Sequence, residues 1–526
     1  MRLGEAIIDL LVREYGLHTV FGIPGVHNIE LYRGLHSSGV RAISPRHEQG
    51  AGFMADGWSV VTGTPGLCTL ISGPGLTNAL TPIAQAFHDS RPMLVLAATT
   101  PSEALGRRFG PLHDLDDQAA MARTVTAFSE TVLHPEEVPE LIAMAYEVFT
   151  SRRPRPVHLA FPTDVLEMET GPLQRFGGSL ARPLPIPSTI DLAVAALEAS
   201  TSPVIVAGGG AIDAGAALRS VAELLDAPVV LTGNAKGVLP SSHPLCAGNV
   251  LAVPEVQAAL EAADAVLVVG SELSDADIYN GGRAIEFSGS VVRIDIDAEQ
   301  LDRRMEPDVR IAADAAAALA AMASGLRRAD RRGEQRAAAL RAAAEASHPS
   351  ALLPWLDALQ AAIPSDAVVA LDSTQLAYAA HVRLAAERPR SWLAPYGLGT
   401  LGCALPMAIG AKLAAPARPV VALAGDGGWL FTVAEMATAA DHQLDIVLVV
   451  WDNRGYAQIR QSFDDANAPR MGVDVSSMDP AGIARGFGWT ARTVGTPDEL
   501  EAAVGDALAE GGPQFVRVMV PPAQTC

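Results

Sequence analysis

The stretch Pro-Val-Val-Ala-Leu-Ala-Gly-Asp-Gly-Gly at residues 419–428 is a short apolar run that leads directly into a glycine-rich turn. A second apolar run, at residues 446–451, is followed by Asp452 and Asn453. Asp426 and Asn453 are 27 positions apart, a spacing that fits one strand–helix–strand unit. We therefore expect both side chains at the carboxyl ends of neighbouring parallel strands, where they can share a ligand.

The residue types in this stretch predict a metal–diphosphate site. A carboxylate from Asp426 and an amide oxygen from Asn453 are hard ligands of the kind that Mg²⁺ accepts, and the backbone carbonyl of Gly455 can join them. The backbone N–H groups around glycines 425, 427 and 428 can approach an anion at a helix N-terminus. Without the downstream Asn, a Gly-Asp-Gly sequence would indicate no more than a turn.

The pattern of this stretch recurs along the chain. Short β-branched runs alternate with Ala-rich segments of helical spacing, which indicates parallel sheets covered on both faces. Pro- and Gly-rich residues 171–189 and the Arg-, Ala- and Glu-rich residues 326–349 predict domain boundaries. We expect an α/β protein of three doubly wound parallel-sheet domains, at residues 1–170, 188–325 and 350–526.

Composition excludes several classes of partner. The 526 residues include 38 Lys and Arg against 59 Asp and Glu, a net charge of −21, so a phosphate backbone would repel the chain and nucleic acid is not expected. No apolar stretch approaches the roughly 18 residues of a membrane span, and no secretion signal is recognisable. The four cysteines are far apart, which suits a reducing compartment. We expect a cytoplasmic protein with no membrane partner.

Gly425-Asp426-Gly427 followed by Asn453 resembles the thiamin diphosphate (ThDP) signature of the pyruvate decarboxylase and acetolactate synthase superfamily. Residues 20–25 and 46–51 are similar to the pyrimidine-binding segments of that superfamily, and residues 397–402 to its cofactor-wedge segment. The resemblance covers essentially the whole chain. It implies an N-terminal pyrimidine-binding domain, a central Rossmann-like domain without catalytic residues, and a C-terminal domain that binds the diphosphate and Mg²⁺. It also implies a homodimer or dimer of dimers with active sites at the subunit interface.

The resemblance assigns roles to single residues. Glu48 would bond a pyrimidine ring nitrogen and favour the imino form, which acts as an internal base. Leu401 would be the apolar wedge that bends the cofactor, and the Gly399 carbonyl would accept from the amino group of the pyrimidine. Gly25 and Gln375 match positions near the cofactor. The structural alternatives are a helix-capping role for Glu48 and a core position for Leu401.

His113 is a second catalytic candidate, in a loop that follows Gly110 and Pro111. A neutral imidazole there could donate a proton to the enamine formed by decarboxylation, or hold the substrate carboxylate. The alternative is a structural hydrogen bond to Asp114 or Asp116.

The sequence motifs identify the superfamily more clearly than they identify the reaction within it. Val26 stands where pyruvate-type decarboxylases carry an acid, and Ile71 where benzoylformate decarboxylases carry a histidine. The motif segments are most similar to those of 5-guanidino-2-oxopentanoate decarboxylases and acetolactate synthase-like proteins, although Gln458 has no acidic neighbour of the kind a guanidinium substrate would need. We expect decarboxylation of a small 2-oxo acid through an enamine, with acetolactate synthase-type carboligation as the alternative.

Other cofactors and classes find less support. Residues 268–275 lack the Arg-Phe-Asp-Asp-Arg stretch of FAD-binding acetolactate synthases, so FAD is not expected. Residues 208–210, Gly-Gly-Gly after an apolar run, suggest a nicotinamide oxidoreductase, but the G-x-G-x-x-G spacing is missing. A non-catalytic scaffold with the same fold is disfavoured because Glu48, Asp426 and Asn453 are all present.

Overall fold

The computed structural model describes residues 1–178, 180–347, 351–474 and 478–520. Within these ranges the chain forms three six-stranded sheets in which every strand pairing is parallel. The α/β fold of three parallel-sheet domains predicted from the sequence is therefore confirmed. Both predicted boundary segments and the predicted third domain include residues outside the described ranges.

The first sheet has the strand order β2-β1-β3-β4-β6-β5. Its strands are β1 (Thr19–Gly22), β2 (Arg41–Ile43), β3 (Gly66–Leu70), β4 (Met93–Thr99), β5 (Phe128–Thr131) and β6 (Val157–Pro162). The helices around it are α1 (Leu3–Tyr15), α2 (Ile29–Ser38), α3 (Glu48–Thr62), α4 (Pro74–His88), α5 (Gln118–Arg123), α6 (Val138–Thr150) and α7 (Thr163–Leu166). The inner strands β3, β4 and β6 are buried along their whole length, as strands covered on both faces must be.

The central sheet has the order β12-β11-β10-β7-β8-β9. Its strands are β7 (Pro203–Ala207), β8 (Val229–Leu231), β9 (Cys246–Gly248), β10 (Ala265–Val269), β11 (Ser290–Asp295) and β12 (Val309–Ala312). The accompanying helices are α8 (Pro187–Ala199), α9 (Gly215–Leu225), α10 (Pro254–Glu261), α11 (Asp275–Ile278), α12 (Ala315–Gly325) and α13 (Gly333–Ala346). The glycine run 208–210 donates backbone N–H groups to the carbonyls of Val269 and Gly270, so two of its amides are already engaged within the domain.

The third sheet has the order β14-β13-β15-β16-β18-β17. Its strands are β13 (Val368–Leu371), β14 (Trp392–Leu393), β15 (Val420–Gly425), β16 (Ile446–Asp452), β17 (Thr490–Val494) and β18 (Pro513–Met519). Its helices are α14 (Leu353–Ala362), α15 (Gln375–Arg383), α16 (Ala404–Ala414), α17 (Asp426–Trp429), α18 (Glu435–Asp441), α19 (Ala457–Asp465), α20 (Pro480–Gly486) and α21 (Pro497–Glu510).

The first and third domains share one hydrophobic core. Buried residues of α3 and α4 lie in the same cluster as those of α16, β15 and β16. The crossing of α3 and α16 is close because it contains glycines: a Cβ atom at Gly57 would lie 2.2 Å from the carbonyl oxygen of Met407. This packing fixes the position of α3, and therefore of Glu48 at its start, relative to the third sheet. No helix in the described part of the chain is long and apolar enough to cross a membrane.

Candidate active site

The diphosphate-type motif lies at the carboxyl edge of the third sheet. Strand β15 ends at Gly425, and α17 begins at Asp426. Strand β16 pairs with β15, with Trp451 beside Gly425, and is followed by Asn453. The structure thus brings Asp426 and Asn453 to one edge of the sheet through the strand–helix–strand unit that their spacing indicates.

Oxygen atoms converge at this edge. One end of the Asn453 amide lies 2.8 Å from the carbonyl oxygen of Gly455 and 3.2 Å from Oδ1 of Asp426. When no cation is present, the amide nitrogen of Asn453 can face the Gly455 carbonyl and the Asp426 carboxylate and donate to them. When a cation is bound, the amide oxygen would face the same way, so that three oxygen atoms surround the ion. The backbone N–H of Gly455 donates to Oδ2 of Asp426 at 2.8 Å, which holds the loop against the carboxylate.

The electrostatics of Asp426 fit a cation-binding role. Burial raises the pKa of this carboxyl to about 6, and the neighbouring Asp452 carboxylate acts in the same direction. No group of three or more His, Cys, Asp and Glu side chains is positioned for a metal in the described residues. One carboxylate, one amide oxygen and one backbone carbonyl instead suit a hard ion such as Mg²⁺, whose remaining coordination positions are filled by water or phosphate. Asp426, Asn453 and Gly455 are therefore the residues that could hold the metal.

The three glycines of the motif permit close contacts around this group. A Cβ atom at Gly425 would lie 2.9 Å from Oγ1 of Thr374, and one at Gly427 would lie 2.6 Å from the Tyr456 ring. A Cβ atom at Gly428 would lie 3.0 Å from Oδ2 of Asp372. Larger residues would push these walls apart, so the motif needs its glycines for space.

Asp372, to which the sequence analysis assigns no role, lies beside the candidate metal-binding residues. It follows β13 and is buried, and its Oδ2 accepts the backbone N–H of Gly402 at 2.8 Å. Burial raises its pKa to about 7. Beside it, Ser373 Oγ donates to the Gly399 carbonyl at 3.4 Å. The sequence feature that could have identified Asp372 is its position directly after a buried strand. Asp372 thus lies between the glycine turn at residues 425–428 and residues 397–402.

The other predicted residues of this half lie around the same loop. Leu401 is half-buried, and Gly399 is exposed with φ +65°. Gln375 begins α15, with its Oε1 3.3 Å from the Asn453 amide.

The pyrimidine-type half lies in the first domain. Glu48 is the first residue of α3 and is buried, and its Oε2 accepts from Nδ2 of Asn78 at 2.9 Å. The capping side chain of α3 is His47, whose ring accepts from the Gln49 N–H, so Glu48 does not serve as the cap. Gly25 lies at the end of the loop after β1, where a Cβ atom would meet Ile71 at 2.6 Å.

His113 lies beside this half-site. Its backbone has φ +66°, and its carbonyl accepts from Ser72 Oγ at 3.3 Å. Its ring is 5.0 Å from that of His27, and its buried Nδ1 has no hydrogen-bond partner among the described residues. Burial and the neighbouring His113 lower the pKa of His27. Asp116 instead pairs with Arg108, so the structural alternative for His113 is not realised through that residue.

Within the described residues, the candidate catalytic side chains of the first domain are not hydrogen-bonded to the metal-type loop of the third domain. In the described residues, Glu48 bonds to Asn78, and no hydrogen bond connects Glu48 or His113 to the Asp426 loop. Exposed apolar side chains flank both halves: Val26 is 80% exposed, Leu112 69% and Met471 81%. Both sets of candidate residues therefore lie beside exposed apolar side chains.

Three domain families match the chain: the thiamine pyrophosphate enzyme N-terminal TPP binding domain at residues 1–121, the central domain at 190–322, and the C-terminal TPP binding domain at 372–518. The chain belongs to the thiamine pyrophosphate enzymes, as the sequence motifs predicted. It is a ThDP-dependent enzyme of 2-oxo acid decarboxylation or carboligation.

Individual relatives match over nearly their full length. A probable 2-ketoarginine decarboxylase of Pseudomonas aeruginosa is 42% identical, with 98% of this chain and 93% of the relative covered. The acetolactate synthase isozyme 1 large subunit of Escherichia coli is 32% identical, with 98% and 94% covered. A probable acetolactate synthase large subunit of Methanocaldococcus jannaschii is 29% identical, with 100% and 93% covered.

Proposed function

We propose that this enzyme releases CO₂ from a 2-oxo acid without oxidation and without joining a second 2-oxo acid. The observation that carries this choice is the 42% identity to a probable 2-ketoarginine decarboxylase, against 32% to an acetolactate synthase subunit, at the same 98% coverage of this chain. Carboligation is the second candidate, because several acetolactate synthase subunits match the whole chain.

The diphosphate half would hold Mg²⁺ through Asp426, Asn453 and the Gly455 carbonyl. The support is the convergence of their oxygens and the raised pKa of the buried Asp426, whose charge a cation would offset. Glycines 425, 427 and 428, with Gln375, would line the diphosphate. When bound, ThDP supplies a carbon nucleophile that also accepts the electrons left by departing CO₂.

Glu48 would hold a proton at the pyrimidine ring. Its side chain is buried, and Asn78 fixes one of its oxygens, so the other can face the ring nitrogen in a defined direction. Leu401 and the Gly399 carbonyl would set the bend of the cofactor.

His113 would act on the substrate. Its buried Nδ1 has no partner in the structure, and a substrate carboxylate or a proton-transfer partner would satisfy that atom. The His27 ring at 5.0 Å limits how the His113 ring can turn.

We also propose that the active enzyme is a homodimer or a dimer of dimers, with Glu48 of one subunit serving the Asp426 loop of another. The exposed apolar side chains beside both sets of candidate residues support this arrangement. Mass photometry beside an activity assay tests it, and a fully active monomer at nanomolar concentration would rule it out. The four separated cysteines support a cytoplasmic location, and the net charge of −21 supports the absence of nucleic-acid partners.

The reaction is tested by product stoichiometry. The enzyme with ThDP and Mg²⁺ is given pyruvate, longer 2-oxo acids, and a 2-oxo acid with a terminal guanidinium group, and both CO₂ and carbon products are measured. A decarboxylase yields one aldehyde per CO₂, whereas a carboligase yields one 2-hydroxy-2-alkyl-3-oxo acid per CO₂ and consumes two substrate molecules. The second stoichiometry on every substrate would refute the proposal in favour of carboligation.

A further inference from the structure

Glu435, the first residue of α18, reaches from the third domain to the start of α3. Glu435 is 1% exposed, and its Oε1 accepts hydrogen bonds from the backbone N–H groups of Arg46 and His47, both at 3.1 Å. Its Oε2 accepts from Arg46 N at 3.2 Å and from Thr438 Oγ1 at 2.7 Å. The two amides belong to the residues immediately before Glu48.

The contact requires a small residue on α3. A Cβ atom at Gly50 would lie 2.3 Å from Oε1 of Glu435, so a glycine at this position lets the carboxylate reach the backbone. Glu435 is thus packed against α3 as well as bonded to it.

The chemistry of this contact is that of an anion at a helix N-terminus. Backbone N–H groups before and at the start of α3 have no partner within the helix, and a carboxylate satisfies them with charge-assisted hydrogen bonds. Burial raises the pKa of Glu435. The contact does not depend on full ionisation, since a neutral side chain with an oxygen at the Oε1 position can still accept the two bonds that Oε1 accepts from Arg46 and His47.

We propose that Glu435 is a positioning residue for Glu48: by holding the amides of Arg46 and His47, it sets the direction in which the Glu48 carboxylate leaves α3. Asn78 restrains the far end of the Glu48 side chain, and Glu435 restrains the backbone from which it starts. This inference rests on the role proposed above for Glu48. Glu435 itself needs no contact with the cofactor or substrate.

Three variants of Glu435 test whether its carboxylate positions Glu48. Glu435→Asp keeps the charge but withdraws the carboxylate by one methylene. Glu435→Gln keeps the length and places an amide oxygen where Oε1 accepts both backbone N–H groups, while its NH₂ can face the Thr438 hydroxyl. Glu435→Ala removes the contact. The matched control is Asp441→Asn, on the same helix, because Asp441 meets the exposed guanidinium of Arg46 rather than the backbone before Glu48.

The first measurement uses the full chain without cofactor. Hydrogen exchange of the amides in residues 46–50 should be faster in Glu435→Asp and Glu435→Ala than in wild type, and near wild type in Glu435→Gln and Asp441→Asn. Unchanged protection of this segment in Glu435→Ala would overturn the proposal without reference to catalysis. If Glu435→Ala does not fold, unchanged protection of this segment in Glu435→Asp would overturn the proposal instead.

The second measurement is exchange of the thiazolium C2 proton of bound ThDP in deuterated buffer. Glu435→Asp should slow it about tenfold to a hundredfold, the loss expected from a misplacement of about 1 Å, and Glu435→Gln should restore it to within a few-fold of wild type. In the Glu48→Gln background, Glu435→Asp should slow exchange no further, because its effect passes through Glu48. An equal further loss in that background would overturn the positioning role. If Glu48→Gln alone exchanges as fast as wild type, the proposed role of Glu48 has failed instead, and the amide measurement still judges the Glu435 contact.

Discussion

Replacing Gly57 by Ala tests whether the crossing of α3 and α16 sets the site. The added Cβ atom would lie 2.2 Å from the Met407 carbonyl oxygen and 2.8 Å from its Cα, and these are backbone atoms that cannot turn away. On the opposite side of the same crossing, a Cβ atom at Gly410 would lie 2.0 Å from the Met54 carbonyl oxygen. The two helices therefore touch through their main chains.

The size of the effect follows from these distances. Ordinary contact of a Cβ atom begins at 3.4 Å, so α3 must withdraw from α16 by about 1 Å in Gly57→Ala. Overpacking of this kind costs roughly 1–3 kcal/mol of the free energy of unfolding. Because Glu48 begins the same helix, the displacement also moves its carboxylate, and a shift of about 1 Å at a reacting group can cost on the order of 10²-fold in rate.

Two assays follow the two effects. Urea unfolding gives the change in stability, and thiazolium C2 exchange gives the change at Glu48. The matched control is Gly505→Ala in α21, where a Cβ atom meets nothing within 4 Å and the helix should gain about 0.4–1 kcal/mol. If Gly57→Ala unfolds at the wild-type free energy and exchanges C2 at the wild-type rate, the helix crossing does not position the site and the reasoning is wrong.

Further predictions concern the metal, the two catalytic candidates and pH. Asp426→Ala should abolish retention of ThDP with Mg²⁺, which calorimetry checks; unchanged affinity would remove Asp426 from the metal site. Glu48→Gln should slow C2 exchange by about 10²- to 10⁴-fold, whereas His113→Ala should leave it intact and lower the yield of product, so an equal loss of exchange in both would give His113 a different role. Burial lowers the pKa of His158 to about 3, below its value of about 6.5 in the unfolded chain. Its contribution to stability is therefore full above pH 6.5 and lost as the pH falls towards 3, by roughly 2 kcal/mol between pH 7 and pH 5. In urea unfolding at pH 7 and pH 5, the free energy of unfolding of His158→Asn should fall by about 2 kcal/mol less than that of the wild type. An equal fall in both proteins would contradict a buried neutral histidine.

The fold was predictable because its information is local. Apolar runs such as residues 446–451 are buried throughout, and a run of that kind without alternation fits only a strand covered on both faces. Asp426 and Asn453 were recognisable for a related reason, since each follows directly after such a strand and the ends of parallel strands meet at one edge.

Contacts between residues on different elements gave no local signal. Asn78 lies within α4, and Glu435 lies within a helix of the third domain, yet both act on α3 around Glu48. Asp372 contacts Gly402 only because the chain returns to it 30 residues later. Such contacts depend on how separate elements pack, within one domain for Asn78 and Asp372 and between two domains for Glu435, and the spacing along one segment does not contain that information.

The shared core of the first and third domains has a consequence for biosynthesis. The face of α3 that packs on α16 is completed at Thr62, but α16 begins at Ala404. A ribosome that adds about 5–20 residues per second needs roughly 20 to 70 seconds to make the intervening segment. For that time the nascent first domain carries an uncovered apolar helix face, a surface that is prone to aggregation and that a chaperone can bind.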